Sequence, residues 1–163
     1  MEFLRGTTNV FGVIGNPVSH SLSPVMHNAG FRHLGMDAVY VPFAVERAHL
    51  AEAIHGVRGL SVSGLNITVP YKSDVIPLLD SVTPTAERIG AVNTIRNDNG
   101  RLVGANTDAH GFVRSLDRLQ LDLRGITVGL LGAGGSARAV AVGIAEAGAT
   151  KVPTPCLRTM TPS

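Results

Sequence analysis

The chain has 163 residues, which fits one domain or one domain with part of a second. Apolar residues make up 44%, enough for a buried core, and the formal charge of +2 is spread without any Lys/Arg run, so no nucleic-acid patch is read. No apolar run reaches the roughly 18 residues of a membrane span, "MEFLRGTTNV" is no signal peptide, and a single cysteine, Cys156, excludes an internal disulfide or a cysteine metal site and points to the cytoplasm.

The elements alternate along the chain. Val10–Gly15 reads as a buried strand, and the helix Pro24–Leu34 follows, with Ser23 at the N-cap and Pro24 at the first helical position. Ala38–Ala44 reads as a strand. "ERAHLAEAIHGV" predicts a helix whose face carries Leu50, Ala53, Ile54 and Val57. Leu60–Val69 predicts a strand, and "YKSDVIPLLD" a short helix. Two alternating runs flank Asn99-Gly100, a hairpin signal because both turn positions need positive φ. Ala109–Leu121 predicts a helix and Ile126–Leu131 a buried strand, with an Ala/Val-rich helix from Ala137 to Ala147. Strand–helix alternation of this kind gives an α/β fold with a mostly parallel open sheet, followed by the first strand and helix of a Rossmann-type nucleotide-binding domain.

The turn "GAGGSA" carries the clearest chemistry. Gly132 permits the tight turn, Gly134 lets the backbone approach a pyrophosphate, and Ala137 lets helix and strand pack closely. With Ala133, Gly135 and Ser136, these residues form a candidate cofactor loop at a helix N-terminus. A glycine-rich turn without a ligand has the same look. No Asp or Glu follows Glu146, so the acid that holds a ribose 2′-hydroxyl about twenty positions on is missing, which leans toward a 2′-phosphorylated cofactor or toward an incomplete site.

A second constellation comprises "GLNITVPYK", "GAVNT" and "GANTD", each placing polar groups beyond a strand end, where open α/β sheets bind ligands. Lys72 and Asp108 form the candidate acid–base pair. Asn66, Thr68, Asn93 and Thr107 offer amides and hydroxyls to a polyol, although any one of them alone serves equally as a turn cap. Ser21 and Ser23, in "SHSLSPVMHN", provide two hydroxyls near a helix N-terminus, a seat for a carboxylate or a plain cap. The six histidines are scattered; none forms a metal-binding pair, and His20 and His27 read as pocket wall or surface.

Together "VIGNPVSHSLSPVMHN", "GLNITVPYK", "GAVNT", "GANTD" and "GLLGAGGSARA", in that order, resemble the shikimate dehydrogenase family from about Phe11 to Ala149. The resemblance implies NADP-dependent reduction of 3-dehydroshikimate to shikimate in aromatic amino-acid biosynthesis, by two α/β domains with the site between them. It implies that Ser21 and Ser23 hold the substrate carboxylate and that Lys72 and Asp108 act at the reacting oxygen. Thr68, Asn93 and Asp108 would hold ring hydroxyls, Asn66 would line the same pocket, and Gly132 to Ser136 would lie under the cofactor pyrophosphate. The implied division is a substrate-binding catalytic domain over residues 1–108, a linker helix over 109–124 and an incomplete dinucleotide-binding domain over 125–163.

The tail departs from the family. Its members are much longer and carry an Asn-Arg-Thr motif where this chain reads "KVPTPCLRTMTPS"; Arg158-Thr159 echoes it, but Leu157 replaces the asparagine. Pro153 and Pro155 fall where a central strand belongs, and proline cannot donate to a ladder. The expectation is a truncated or frame-shifted form with impaired turnover, and either a homo-oligomer or swapped dimer covering apolar surface left by the missing half or a disordered C-terminal third. The alternatives are a shikimate-binding fragment without catalysis, a fragment that only folds and associates, and a quinate-active relative.

Overall fold

A computed structural model describes residues 4–150. These divide into two compact units: residues up to Thr83 with Val92–Ala105, and Pro84–Ala91 with the residues from Asn106 onward.

The first unit is a six-stranded sheet with helices. Strands β1 (Asn9–Gly15), β2 (Ala38–Ala44), β3 (Gly64–Ile67), β4 (Ser81–Val82), β5 (Thr94–Asp98) and β6 (Arg101–Ala105) lie in the order β2-β1-β3-β5-β6-β4. β1 pairs parallel with β2 and β3, and β4 parallel with β6; β5 runs antiparallel to both β3 and β6. Only β5 is therefore reversed, and the sheet is the mostly parallel open one expected. Helices α1 (Ser23–His33) and α2 (Leu50–Gly59) belong to this unit. α2 buries Leu50, Ile54 and Val57, three of the four residues predicted for its face. Val13, Val18 and Tyr40 form a buried cluster with Phe11 and Phe31 against it.

Several boundaries differ from those expected, for identifiable reasons. Ser23 is already helical rather than the N-cap of α1; the cap position is Leu22, and the Ser21 hydroxyl accepts the Ser23 N–H at 3.3 Å. β3 is shorter than Leu60–Val69 because the chain spends those first residues ending α2. Ser61 adopts φ +52°, and the N–H groups of Ser61 and Val62 return to the carbonyls of Arg58 and Val57. The helix expected over "YKSDVIPLLD" reduces to a 3-10 turn, Ile76–Leu78. Pro77 has no N–H to give, and the Lys72 carbonyl is taken by the Val92 N–H at 2.7 Å. β4 has no counterpart in the sequence reading; two residues carry no alternation. Its entry is fixed by Asp80, whose carboxylate accepts the Leu102 N–H at 2.6 Å while its own N–H bonds the Leu102 carbonyl. The hairpin stands as read, with Asn99 at φ +52° and Gly100 at φ +91°.

The second unit is helical: α3 (Pro84–Ile89), α4 (Asp108–Arg118) and α5 (Gly135–Glu146). α3 is absent from the sequence reading, although Thr83-Pro84 is a helix-start signal. α4 stops before Leu121 because Gln120 turns left-handed at φ +56°. Ile89, Ala91, Ala109 and Ala139 form the core of this unit, with Val142 packed on it. At Gly143 the approach of α4 is closest: a Cβ there would lie 2.8 Å from the Ala109 carbonyl oxygen. Ile126–Leu131, expected as a buried strand, carries among the described residues only a bridge at Thr127, and Ile126 and Leu131 are exposed. The Thr150 N–H bonds the Ile126 carbonyl at 3.0 Å. The tail 151–163, with Cys156 and Arg158-Thr159, lies outside the described residues.

Candidate active site

In the first unit, register places one edge of the sheet where polar residues collect. Gly15 stands opposite Ala44, Ile14 opposite Ile67, Asn66 opposite Thr94, and Thr94 opposite Ala105. The ends of β1, β2, β3 and β6 and the start of the reversed β5 therefore share this edge. Parallel strands bring their carboxyl ends together, which is why motifs distant in sequence meet here.

A hydrogen-bonded network occupies the edge. The Tyr40 hydroxyl donates to Asn66 Oδ1 at 2.6 Å, and Asn66 Nδ2 donates to the Asn93 carbonyl at 3.3 Å and to Thr94 Oγ1 at 3.4 Å. The Thr94 hydroxyl donates to Asn93 Oδ1 at 2.9 Å. Asn93 is 8% exposed, so it is one of the few buried polar residues among the described ones. The Asn93 carbonyl also takes the Ile67 N–H, and the Thr68 N–H goes to the Ile14 carbonyl. The Thr68 methyl lies over Gly15, a place only glycine leaves open. Lys72 is half-buried and is tied through its carbonyl to Val92. Main-chain bonds thus fix the backbone at Ile67, Thr68, Lys72 and Asn93. Ser21 and Ser23 follow β1 on the way into α1, whose N-cap residue, Leu22, makes no side-chain cap.

Tyr40 is a residue that reading the sequence missed. Its ring stacks on His27 at 4.3 Å and 15°, and burial pushes its phenol up to about 12. The signal was available: a tyrosine in the middle of an apolar strand needs a partner for its hydroxyl when it is buried. Asn28 was also missed. Its amide brackets Tyr40, donating to the Tyr40 carbonyl at 2.8 Å and accepting the Tyr40 N–H at 2.9 Å, so α1 pairs the peptide groups of Tyr40 on β2, an edge strand.

The second unit holds the rest. Asp108 is the first residue of α4, half-buried, its N–H bonded to Asn106 Oδ1 at 3.0 Å. The Asn106 amide in turn donates to the Ala91 carbonyl at 2.9 Å, which anchors the start of α4. The candidate cofactor loop, Gly132 to Ser136, leads into α5. Gly132 has φ +120°, a conformation that side chains resist. Gly134 is the N-cap, and a Cβ built on it meets nothing within 4 Å. The first turn of α5 has no acidic residue and no side-chain cap. A helix N-terminus with room beside Gly134 and no opposing charge fits a pyrophosphate. Glu146, the last acid in the sequence, is paired with Arg88 at 2.7 Å.

Against known proteins, a sequence profile of the shikimate dehydrogenase substrate binding domain matches residues 13–95. The chain belongs to the shikimate dehydrogenase family. The NADP(+) shikimate dehydrogenase of Geobacter metallireducens is 50% identical over 150 residues, 91% of this chain and 52% of the relative. The shikimate dehydrogenase structure from Aquifex aeolicus superposes with a TM-score of 0.89 at 44% identity, covering 94% of this chain and 58% of that one. The Thermus thermophilus shikimate 5-dehydrogenase, solved in complex with NADP(H) and shikimate, gives a TM-score of 0.85 at 41% identity over 91% of this chain and 57% of that one. The chain spans about half the length of the curated shikimate dehydrogenases it matches.

Proposed function

We propose that this chain carries the substrate-binding part and the opening of the cofactor-binding part of an NADP-dependent shikimate dehydrogenase, which reduces 3-dehydroshikimate to shikimate. The network Tyr40–Asn66–Asn93–Thr94 at the strand ends, with Thr68 and Lys72 beside it in sequence, carries this reading. Ser21 and Ser23 hold the carboxylate; Thr68, Asn93 and Asp108 hold ring hydroxyls. Asn66 lines the pocket, its amide nitrogen engaged by protein acceptors and its oxygen open to one further donor. NADPH, when bound, supplies hydride to the ring carbonyl. Lys72 then delivers a proton to the oxygen, with Asp108 as the other member of the acid–base pair. Gly132, Ala133, Gly134, Gly135 and Ser136 seat the cofactor pyrophosphate. The setting is the cytoplasm, in line with a lone cysteine, and the assembly a homo-oligomer or swapped dimer.

A second reading, shikimate held without turnover, is favoured by the match of residues 13–95 to a substrate binding domain profile. One pair of measurements separates the two. NADPH formation from NADP+ and shikimate supports the enzyme. Calorimetric heat from shikimate without NADPH formation supports the binding module, and no heat at all overturns both. Quinate in parallel reads the ring preference.

A further inference from the structure

Arg138 stands one residue beyond the glycine-rich turn, in the first part of α5, and its guanidinium reaches back. Nε donates to the Ile89 carbonyl at 2.9 Å, Nη2 to the Gly90 carbonyl at 2.9 Å, and Nη1 to the Ala133 carbonyl at 3.4 Å. The Ile89 and Gly90 carbonyls end α3, where a helix leaves carbonyls unpaired and favours a cation. The third acceptor lies inside the cofactor loop itself. Because a peptide unit is planar and trans, the Ala133 carbonyl and the Gly134 N–H point in opposite directions from one rigid plate. Holding the carbonyl toward Arg138 therefore turns the Gly134 N–H the other way. The loop needs this help: Gly132 and Gly134 have no side chains to fix their torsions, and no side chain caps α5. The Arg138 N–H also closes the first turn of α5 on the Gly134 carbonyl at 3.0 Å.

We propose that Arg138 is a positioning residue for the cofactor loop: braced on the end of α3, it locks the Ala133–Gly134 peptide so that the Gly134 N–H is presented to the dinucleotide pyrophosphate. Arginine suits this role because its planar fork serves several carbonyls at once, whereas a lysine ammonium on a flexible stem serves them in turn. The proposal rests on the cofactor reading above, and its test keeps the two apart.

The test compares the full chain with Arg138→Gln and Arg138→Lys. Amide hydrogen exchange over residues 132–137 is the primary readout, because it needs no cofactor. Exchange there rises about tenfold or more in Arg138→Gln and by less in Arg138→Lys, with strand β1 unchanged as the fold control. In calorimetry, NADP+ binding weakens about tenfold in Arg138→Gln while shikimate affinity stays within about twofold. Should Arg138→Gln fail to fold, Arg138→Lys carries both measurements. Exchange in the loop that matches the native chain overturns the proposal, as does an equal loss of NADP+ and shikimate affinity. A native chain that takes no NADP+ while the variants still loosen the loop overturns the cofactor reading and leaves the brace standing.

Discussion

Tyr40 shows how one side chain orders a rim. It is 4% exposed, stacked on His27, bracketed by Asn28 and bonded to Asn66. A neutral phenol is the state that burial favours, so its ionisation is pushed up to about 12 from an ordinary value near 10. A raised phenol contributes stability that is whole below about pH 10 and is lost as pH climbs through about 12. The chain has two tyrosines, which makes this measurable. In a titration followed by phenolate absorbance, the component near 12 disappears in Tyr40→Phe; its persistence would assign the shift elsewhere. The same variant frees Asn66 Oδ1, and shikimate affinity falls about threefold to tenfold, the scale of one net hydrogen bond.

Elements are joined by a few short contacts whose loss has a calculable sign. Asn28 links α1 to the outer edge of β2 by two hydrogen bonds to one residue. Asn28→Ala leaves the Tyr40 peptide unpaired at the edge and lowers stability in urea by about 1–3 kcal/mol. Gly143 sets two effects against each other. Alanine in a helix interior gains about 1 kcal/mol over glycine. A Cβ at this point, however, meets the Ala109 carbonyl at 2.8 Å and Val113 Cγ2 at 3.2 Å. The first contact is backbone and cannot rotate away, and overpacking costs about 1–3 kcal/mol. Gly143→Ala is therefore net destabilising, with faster exchange in α4 and α5; a raised melting temperature would show that the helices separate at no cost. Asn99-Gly100 and the α2 face were legible because each depends on neighbours in sequence: φ signs at a turn, spacing on a helix. α3, β4 and the early end of the strand before Val69 were not, because each ends or begins where a distant carbonyl or carboxylate claims its hydrogen bond.

At the scale of the whole molecule the open question is what covers the start of the nucleotide-binding unit. Leu131 is 82% exposed and Ile126 42%. Exposed apolar side chains of this size favour association. Light scattering is expected to give a mass above that of one chain, and Leu131→Glu to return it toward 17.0 kDa. A native chain already at that mass, with no change in the variant, would overturn the oligomer.

By itself the sequence determined the order of most elements, the reversed hairpin and the identity of the polar residues at the strand ends. Those depend on local torsion preferences and on periodicity, which neighbouring residues carry. Tertiary structure alone decided that Tyr40 orients Asn66, that Asn28 seals an edge strand and that Arg138 grips the end of α3. Each of these joins atoms far apart along the chain, and a hydrogen bond is set by distance and angle in space, quantities that sequence spacing does not encode.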